Sequence, residues 1–344
     1  MKYTAGAVYD AIDALAPFGS CMEWDNVGLP VGSPEAAVSG VLVTLDVTTG
    51  AVKKALEMRM DCIVSHHPVI FHPLKRLSTQ HAAGLCLANG ISVISAHTNY
   101  DFAAHGVNYA LAAALGLQNI RPFGRENAAE PWYSLVVYVP VTHAEAVYHA
   151  MSAAGAGRQG SYSGCAFLNE GEGRFLPQAG AKPFLGEEGK LEKAAEVRLE
   201  MLCAPERVGA VLAAMRAAHP YEEPAFSILP NHALHTQEVY GMLGELPQPL
   251  LPEELAALTE RALSTHVQYV PTAKKIKTVA VCGGAGSDFM GEAAAAGAEA
   301  FLTGEVKHHE WFMAAERGLC LMAAGHHATE HIAIPQLARQ LREV

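Results

Sequence analysis

The stretch Cys62-Ile-Val-Ser-His-His-Pro68 decides the fold. Its first four residues form a short, uncharged, β-rich run with no polar alternation, as in a strand buried on both faces of a parallel sheet. Two histidines stand where that strand must end. Working outward, Val41-Leu-Val-Thr-Leu-Asp46 reads as a strand before it and Ile91-Ser-Val-Ile-Ser95 as a strand after it. Helical spacing fills Thr48 to Met60 and Thr79 to Asn89, and a third helix from His105 to Leu115 is closed by Gly116. Strands separated by helices of this length predict right-handed crossovers and a mostly parallel sheet.

The same order returns near the C-terminus. Thr278 to Cys282, Ala300 to Thr303 and Leu319 to Met322 read as strands; Asp288 to Ala296, His309 to Arg317 and Ala328 to Arg342 read as helices. Glu299-Ala-Phe-Leu-Thr303 can be laid on Asp61-Cys-Ile-Val-Ser65, and Gly318-Leu-Cys-Leu-Met322 on Gly90-Ile-Ser-Val-Ile94. We therefore expect an α/β protein in which two related α/β halves form one domain.

A different pattern lies between the halves. Leu135 to Pro140 with a helix from His143 to Ala153 is echoed by Leu199 to Pro205 with a helix from Arg207 to Ala217. Two strand–helix units with extra strands among them predict an inserted ferredoxin-like α+β domain. Its centre, from Gly155 to Gly189, is dense in glycine, which fits loops that approach a ligand or neighbour closely. The expected limits are 1–125 and 246–344 for the halves and 126–245 for the insert, with Pro247, Pro249 and Pro252 marking its exit.

Composition narrows the function classes. With 344 residues, 50% hydrophobic and only 17% charged, the chain can bury a sizeable core, which excludes disorder. A net charge of −11 argues against a large electropositive nucleic-acid surface. The seven cysteines form no C-x-x-C pair and most lie in apolar runs, so they read as small buried hydrophobes in a reducing cytosol. The N-terminal residues lack an apolar signal core, and the longest charge-free stretch, Leu77 to Tyr100, is too polar to span a membrane. A cytoplasmic protein is expected.

The 17 histidines point to the chemistry. Four clusters stand just after predicted strands: Ser65-His-His-Pro68, His97-Thr-Asn-Tyr-Asp101, Thr303-Gly-Glu305 and His326-His-Ala-Thr-Glu330. Strand C-termini of a parallel sheet share one edge, where ligands bind. His326 and Glu330, four apart, share a helix face, while the adjacent His66 and His67 can straddle two ions. Imidazole and carboxylate ligands suit zinc, iron or manganese, and a bridging carboxylate favours two ions. His308, His309 and His327 lie near the same rim without a role, and His232, His235 and His266 read as solvated loop residues. Cys282-Gly-Gly-Ala-Gly-Ser287 reads equally as a phosphate cradle and as a tight structural turn.

Five motifs in this order, Trp24-Asp-Asn-Val-Gly-Leu29, Ser65 to Phe71, Ala96 to Asp101, Thr303-Gly-Glu305 and Gly325 to Glu330, resemble the Nif-three-like dinuclear-metal family, whose usual label is GTP cyclohydrolase I type 2. The resemblance covers residues 1 to about 125 and about 246 to 344. Gly155-Ala-Gly157, Gly171-Glu-Gly-Arg-Phe175 and His219-Pro-Tyr-Glu-Glu-Pro224 are similar to the PII- and CutA-like insert of the longer bacterial members. The resemblance implies metal ligands at His66, His67, Asp101, His326 and Glu330, with Glu330 bridging, and a ring-shaped homo-oligomer, usually a hexamer. His327 departs from it, because an aromatic such as tyrosine is common there.

Two readings follow. One is a dinuclear metal-dependent hydrolase acting on a nucleotide or phosphorylated small molecule, in which two divalent ions activate a bridging water and His97 shuttles a proton or orients a ligand. The other is a non-enzymatic metal- and small-molecule-binding regulatory protein, favoured by the glycine-rich insert.

Overall fold

The computed structural model describes residues 3–125, 131–235 and 238–343. The chain divides into two compact units, one formed by Met1–Arg125 with Glu238–Val344 and the other by Glu126–Gln237. It is a mixed α/β protein with several sheets.

The first half of the outer unit runs α1 (Ala5–Leu15), β1 (Gly28–Val31), β2 (Val41–Thr44), α2 (Thr49–Glu57), β3 (Cys62–Ser65), α3 (Ala82–Ala88), β4 (Ser92–Ser95), α4 (Thr98–Asp101), α5 (Val107–Ala114) and β5 (Gln118–Arg125). β2, β3 and β4 are parallel, and β1 closes the sheet antiparallel to β4. All four residues of β3 and of β4 are buried, because helices cover both faces. Ile63 packs on Val52, Ala55, Ala83 and Cys86 on one face, while Cys62 and Val64 meet Ile12 and Leu337 on the other. Burying Ile63 contributes about 1.5–3 kcal/mol, and Ile63→Ala costs about 2–5 kcal/mol. Thr48 caps α2 by accepting the Ala51 N–H at 3.0 Å.

The second half contributes β10 (Glu238–Leu250), α8 (Pro252–Leu263), β11 (Gln268–Tyr269), β12 (Ile276–Cys282), α9 (Met290–Ala295), β13 (Ala300–Thr303), α10 (His308–Arg317), β14 (Cys320–Ala323), α11 (His326–His331) and α12 (Ile334–Glu343). Here β12, β13 and β14 are parallel, within a six-stranded sheet ordered β11-β14-β13-β12-β10-β5. The expected single, mostly parallel sheet is thus corrected to two mixed sheets. Antiparallel β1 closes one parallel triplet, and antiparallel β11 and β10 flank the other, so neither triplet extends into the other. The helix expected from Ala328 to Arg342 is split in two, since Pro335 has no N–H to continue the α11 ladder.

The central unit runs β6 (Pro131–Pro140), α6 (Ala144–Ala153), β7 (Phe167–Phe175), β8 (Glu192–Cys203), α7 (Val208–Ala218) and β9 (Phe226–His235). Its sheet is antiparallel throughout, ordered β9-β6-β8-β7. Val197, Leu199, Met201 and Cys203 of β8 pack with Val147, Met151, Val211 and Met215 of α6 and α7. The expected start of the insert borders residues 126–130, outside the described residues. Residues 238–245, expected within the insert, lie in β10, which pairs with β5 and β12 of the outer unit.

Candidate metal centre

The strand ends of the two sheets of the outer unit meet at one place. His66 and His67 follow β3, His97 and Asp101 follow β4, and His326 and Glu330 follow β14 on the first helical turns of α11. Buried hydroxyls shape the turns. Ser65 Oγ donates to the His67 carbonyl at 2.8 Å, and Thr329 Oγ1 accepts the Gly284 N–H at 3.1 Å.

The five residues expected as ligands converge. Glu330 Oε2 lies 2.9 Å from His67 Nε2, and its Oε1 lies 3.2 Å from His326 Nε2 and 3.7 Å from His66 Nε2. Asp101 Oδ1 faces His66 Nε2 at 3.5 Å. Three overlapping sets each place ligand atoms within 4.8 Å of one another: His66, His67 and His97; His67, His326 and Glu330; His66, Asp101 and Glu330.

Each of the three expected histidine ligands is tied at Nδ1. His66 Nδ1 meets the Ala96 carbonyl at 2.9 Å, His67 Nδ1 meets Asp46 Oδ1 at 2.8 Å, and His326 Nδ1 meets Glu305 Oε1 at 2.9 Å. These acceptors hold the proton on Nδ1, so a neutral ring presents its Nε2 lone pair to the centre. The lone pairs then face carboxylate oxygens, and only positive charge between them resolves the repulsion. His66 Nε2 and Asp101 Oδ1 are both buried without a hydrogen-bond partner. Such orphaned atoms are costly unless a cation takes them as ligands, so the residues present fit a metal. Without metal, protons take its place. Burial disfavours the charged His66 ring, yet Asp101 and Glu330 overcome this and push it up to about 9. The bond to Glu330 leads in raising His326 to about 9. Burial opposes ionisation of Glu330, but its bonds to His326 and His67 and the nearby His66 ring hold the carboxyl far below its usual range.

Several residues of the site escape a reading of spacing alone. Asp25 accepts from Thr98 Oγ1 at 2.6 Å and from the Thr98 N–H at 3.1 Å, and it meets His97 Nδ1 at 2.9 Å. It lies in a loop with no periodicity, although it belongs to the Trp24-Asp-Asn motif. Asp46 ends the first predicted strand, so extending the strand-end rule to it would have found it. Trp24 and Phe71, 60% and 45% exposed, approach each other at 5.8 Å and lie 6.1 and 6.3 Å from the His97 ring. They line a cavity of about 620 Å³ with His67, His97, Asp101 and Glu330, and none of its lining residues is a lysine or arginine.

The glycine turn at 283–286 is structural at three of its amides. The N–H groups of Gly283, Gly284 and Gly286 donate to Asn108 Oδ1, Thr329 Oγ1 and Thr303 Oγ1. Burial holds the Cys282 thiol well above its usual range, so it stays protonated beside the carboxylates. His308 packs on Phe312 and His327 on His331, outside the cluster. His266 is exposed and paired with Glu260, while the side chains at 232 and 235 lie outside the described residues.

Comparisons with known proteins agree along the whole chain. The family model described as Duf34/NIF3 (NGG1p interacting factor 3) matches residues 3–344. A Bacillus subtilis strain 168 protein called GTP cyclohydrolase 1 type 2 homolog is 38% identical over 327 residues, covering 93% of this chain and 87% of that one. A Mycobacterium tuberculosis protein of the same name is 36% identical over 318 residues, covering 90% and 83%. The crystal structure of a Bacillus cereus protein related to NIF3 superposes with a TM-score of 0.76 at 35% identity, covering 99% of this chain and 92% of that one. No helix of the described residues is long and apolar enough to cross a membrane.

Proposed function

The chain belongs to the Duf34/NIF3 family, and from that premise we propose that it is a metal-dependent hydrolase acting on a nucleotide or phosphorylated small molecule. The observation that carries this reading is the buried, unpartnered pair His66 Nε2 and Asp101 Oδ1 inside a ring of imidazoles and carboxylates. His66, His67, Asp101, His326 and Glu330 would hold two divalent ions of zinc, iron or manganese. The two oxygens of Glu330 face different histidines, which suits a bridging carboxylate. Bound ions would supply Lewis acidity and a more acidic water.

The remaining roles belong to the chain. Asp25 accepts a hydrogen bond from the His97 Nδ1–H at 2.9 Å, which leaves Nε2 free to accept or return a proton beside the cluster. Asp46 and Glu305 fix the rings of His67 and His326 in the same way. Trp24 and Phe71 offer exposed aromatic surface at the cavity, against which a flat heterocycle can stack. We read the central unit as the ferredoxin-like, PII-like insert, on the strength of its β-α-β-β-α-β order, and the assembly as a homohexamer, testable by light scattering. A regulatory binding protein is the second reading, favoured by a separate cavity within the central unit.

The test is turnover of GTP, other nucleotides and phosphoesters by metal-loaded protein, with His67→Ala and Glu330→Ala beside it. Turnover lost in both variants supports the hydrolase. Turnover that survives both refutes it, and metal-loaded protein inert on every substrate favours the second reading.

A further inference from the structure

The central unit carries an open cavity of about 540 Å³ lined by its own residues. Along β8, Val197, Leu199, Met201 and Cys203 turn toward the helices, which places Glu196 on the opposite face of the sheet. That face carries the cavity. Glu196 is only 8% exposed, and its Oε1 accepts the Tyr221 hydroxyl at 2.8 Å. Its carboxylate lies directly over Gly173 of β7, where any side chain would collide with it. The glycine of Gly171-Glu-Gly-Arg-Phe175 therefore makes room for a buried acid.

Among the described residues no lysine or arginine comes within 4 Å of Glu196. Arg174, the one basic residue lining the cavity, is turned to Glu172 Oε1 at 2.7 Å. His219 accepts the Tyr221 N–H on Nδ1 at 3.0 Å and so donates from Nε2 to the Tyr138 carbonyl, also at 3.0 Å. Burial lowers its pKa, and the ring stays neutral. A buried carboxylate without a cation is costly, which marks a place where one is bound.

The walls specify the kind of cation. The Phe175 and Phe184 rings stand 5.7 and 6.3 Å from the Tyr221 ring, inclined by 61° and 48°. Aromatic faces attract organic cations and offer no metal ligands. Glu196 also belongs to none of the groups of potential metal ligands among the described residues.

We propose that this cavity binds a small organic cation, an alkylated ammonium or a guanidinium, with its charge toward Glu196 and its substituents against Phe175, Phe184 and Tyr221. The test is calorimetric titration of the full-length protein with choline, agmatine and 3,3-dimethylbutan-1-ol, the neutral isostere of choline. Choline or agmatine binds with a Kd below about 1 mM, and the neutral isostere binds at least about tenfold more weakly. Glu196→Gln keeps an acceptor for Tyr221 but weakens the cation about tenfold or more. Phe184→Leu, at a partly exposed loop residue, weakens it without depending on the fold of the Glu196 variant. The proposal is overturned if neither cation binds, as when a second copy of the chain fills the cavity. It is equally overturned if the neutral isostere binds as well as choline, or if both variants bind like the wild type.

Discussion

Replacing Gly284 by alanine strikes the cluster from the backbone. Gly284 has φ of +61°, in the left-handed region, where an alanine costs about 1–2 kcal/mol. Its added Cβ would overlap Glu330 Oε1 and lie 3.3 Å from His326 Nε2. The carboxylate must retreat by roughly 1 Å to recover ordinary contact. Disturbing a ligand's setting in this way costs about 10–100-fold in metal affinity, or about 1.4–2.7 kcal/mol. Gly318→Ala is the matched control, with φ of +65° and open space around its Cβ. Thermal unfolding without metal and calorimetric titration with zinc or manganese separate the two costs. Both variants lose several degrees of Tm, roughly 2–4 °C per kcal/mol, and only Gly284→Ala loses metal affinity. Wild-type affinity in Gly284→Ala, or an equal loss in Gly318→Ala, refutes the reasoning.

Asp25→Asn leaves metal content unchanged and lowers kcat about 10²–10⁴-fold, because His97 loses the carboxylate that holds its Nδ1 proton; metal analysis beside steady-state kinetics checks both halves. Trp24→Ala and Phe71→Ala each weaken a flat heterocyclic ligand by roughly 0.5–1.5 kcal/mol with little change in Tm, since both rings are exposed; fluorescence or calorimetric titration reads the affinity. His219 is held below its ordinary 6.5 by burial, so its contribution to stability is complete above that value and is lost as pH falls through the folded-state value. Wild-type Tm therefore falls more steeply between pH 7 and pH 5 than that of His219→Gln, and parallel profiles would show that the ring titrates alike in both states.

The convergence of these histidines and carboxylates was legible because it lies where short-range rules apply. β3, β4 and β13 are four-residue runs buried throughout, so their ends could be placed from hydrophobicity alone, and His66, His67 and His97 follow directly. His326 and Glu330 needed only helical spacing. What was hidden depends on distant pairing. β5 and β10 are separated in sequence by the whole central unit, and their antiparallel register, from Glu238 opposite Arg125 to Glu245 opposite Gln118, leaves no periodic trace. Asp25 reaches His97 across 72 positions from an irregular loop. Pro335, visible in the sequence, was the missed signal for the break between α11 and α12.

Counting ions tests the central claim most directly. Protein stripped with chelator, reconstituted with manganese or zinc and freed of excess metal should carry two ions per chain by elemental analysis, and Glu330→Gln should carry fewer than one. Fewer than one ion per wild-type chain, or two retained in Glu330→Gln, would contradict the account.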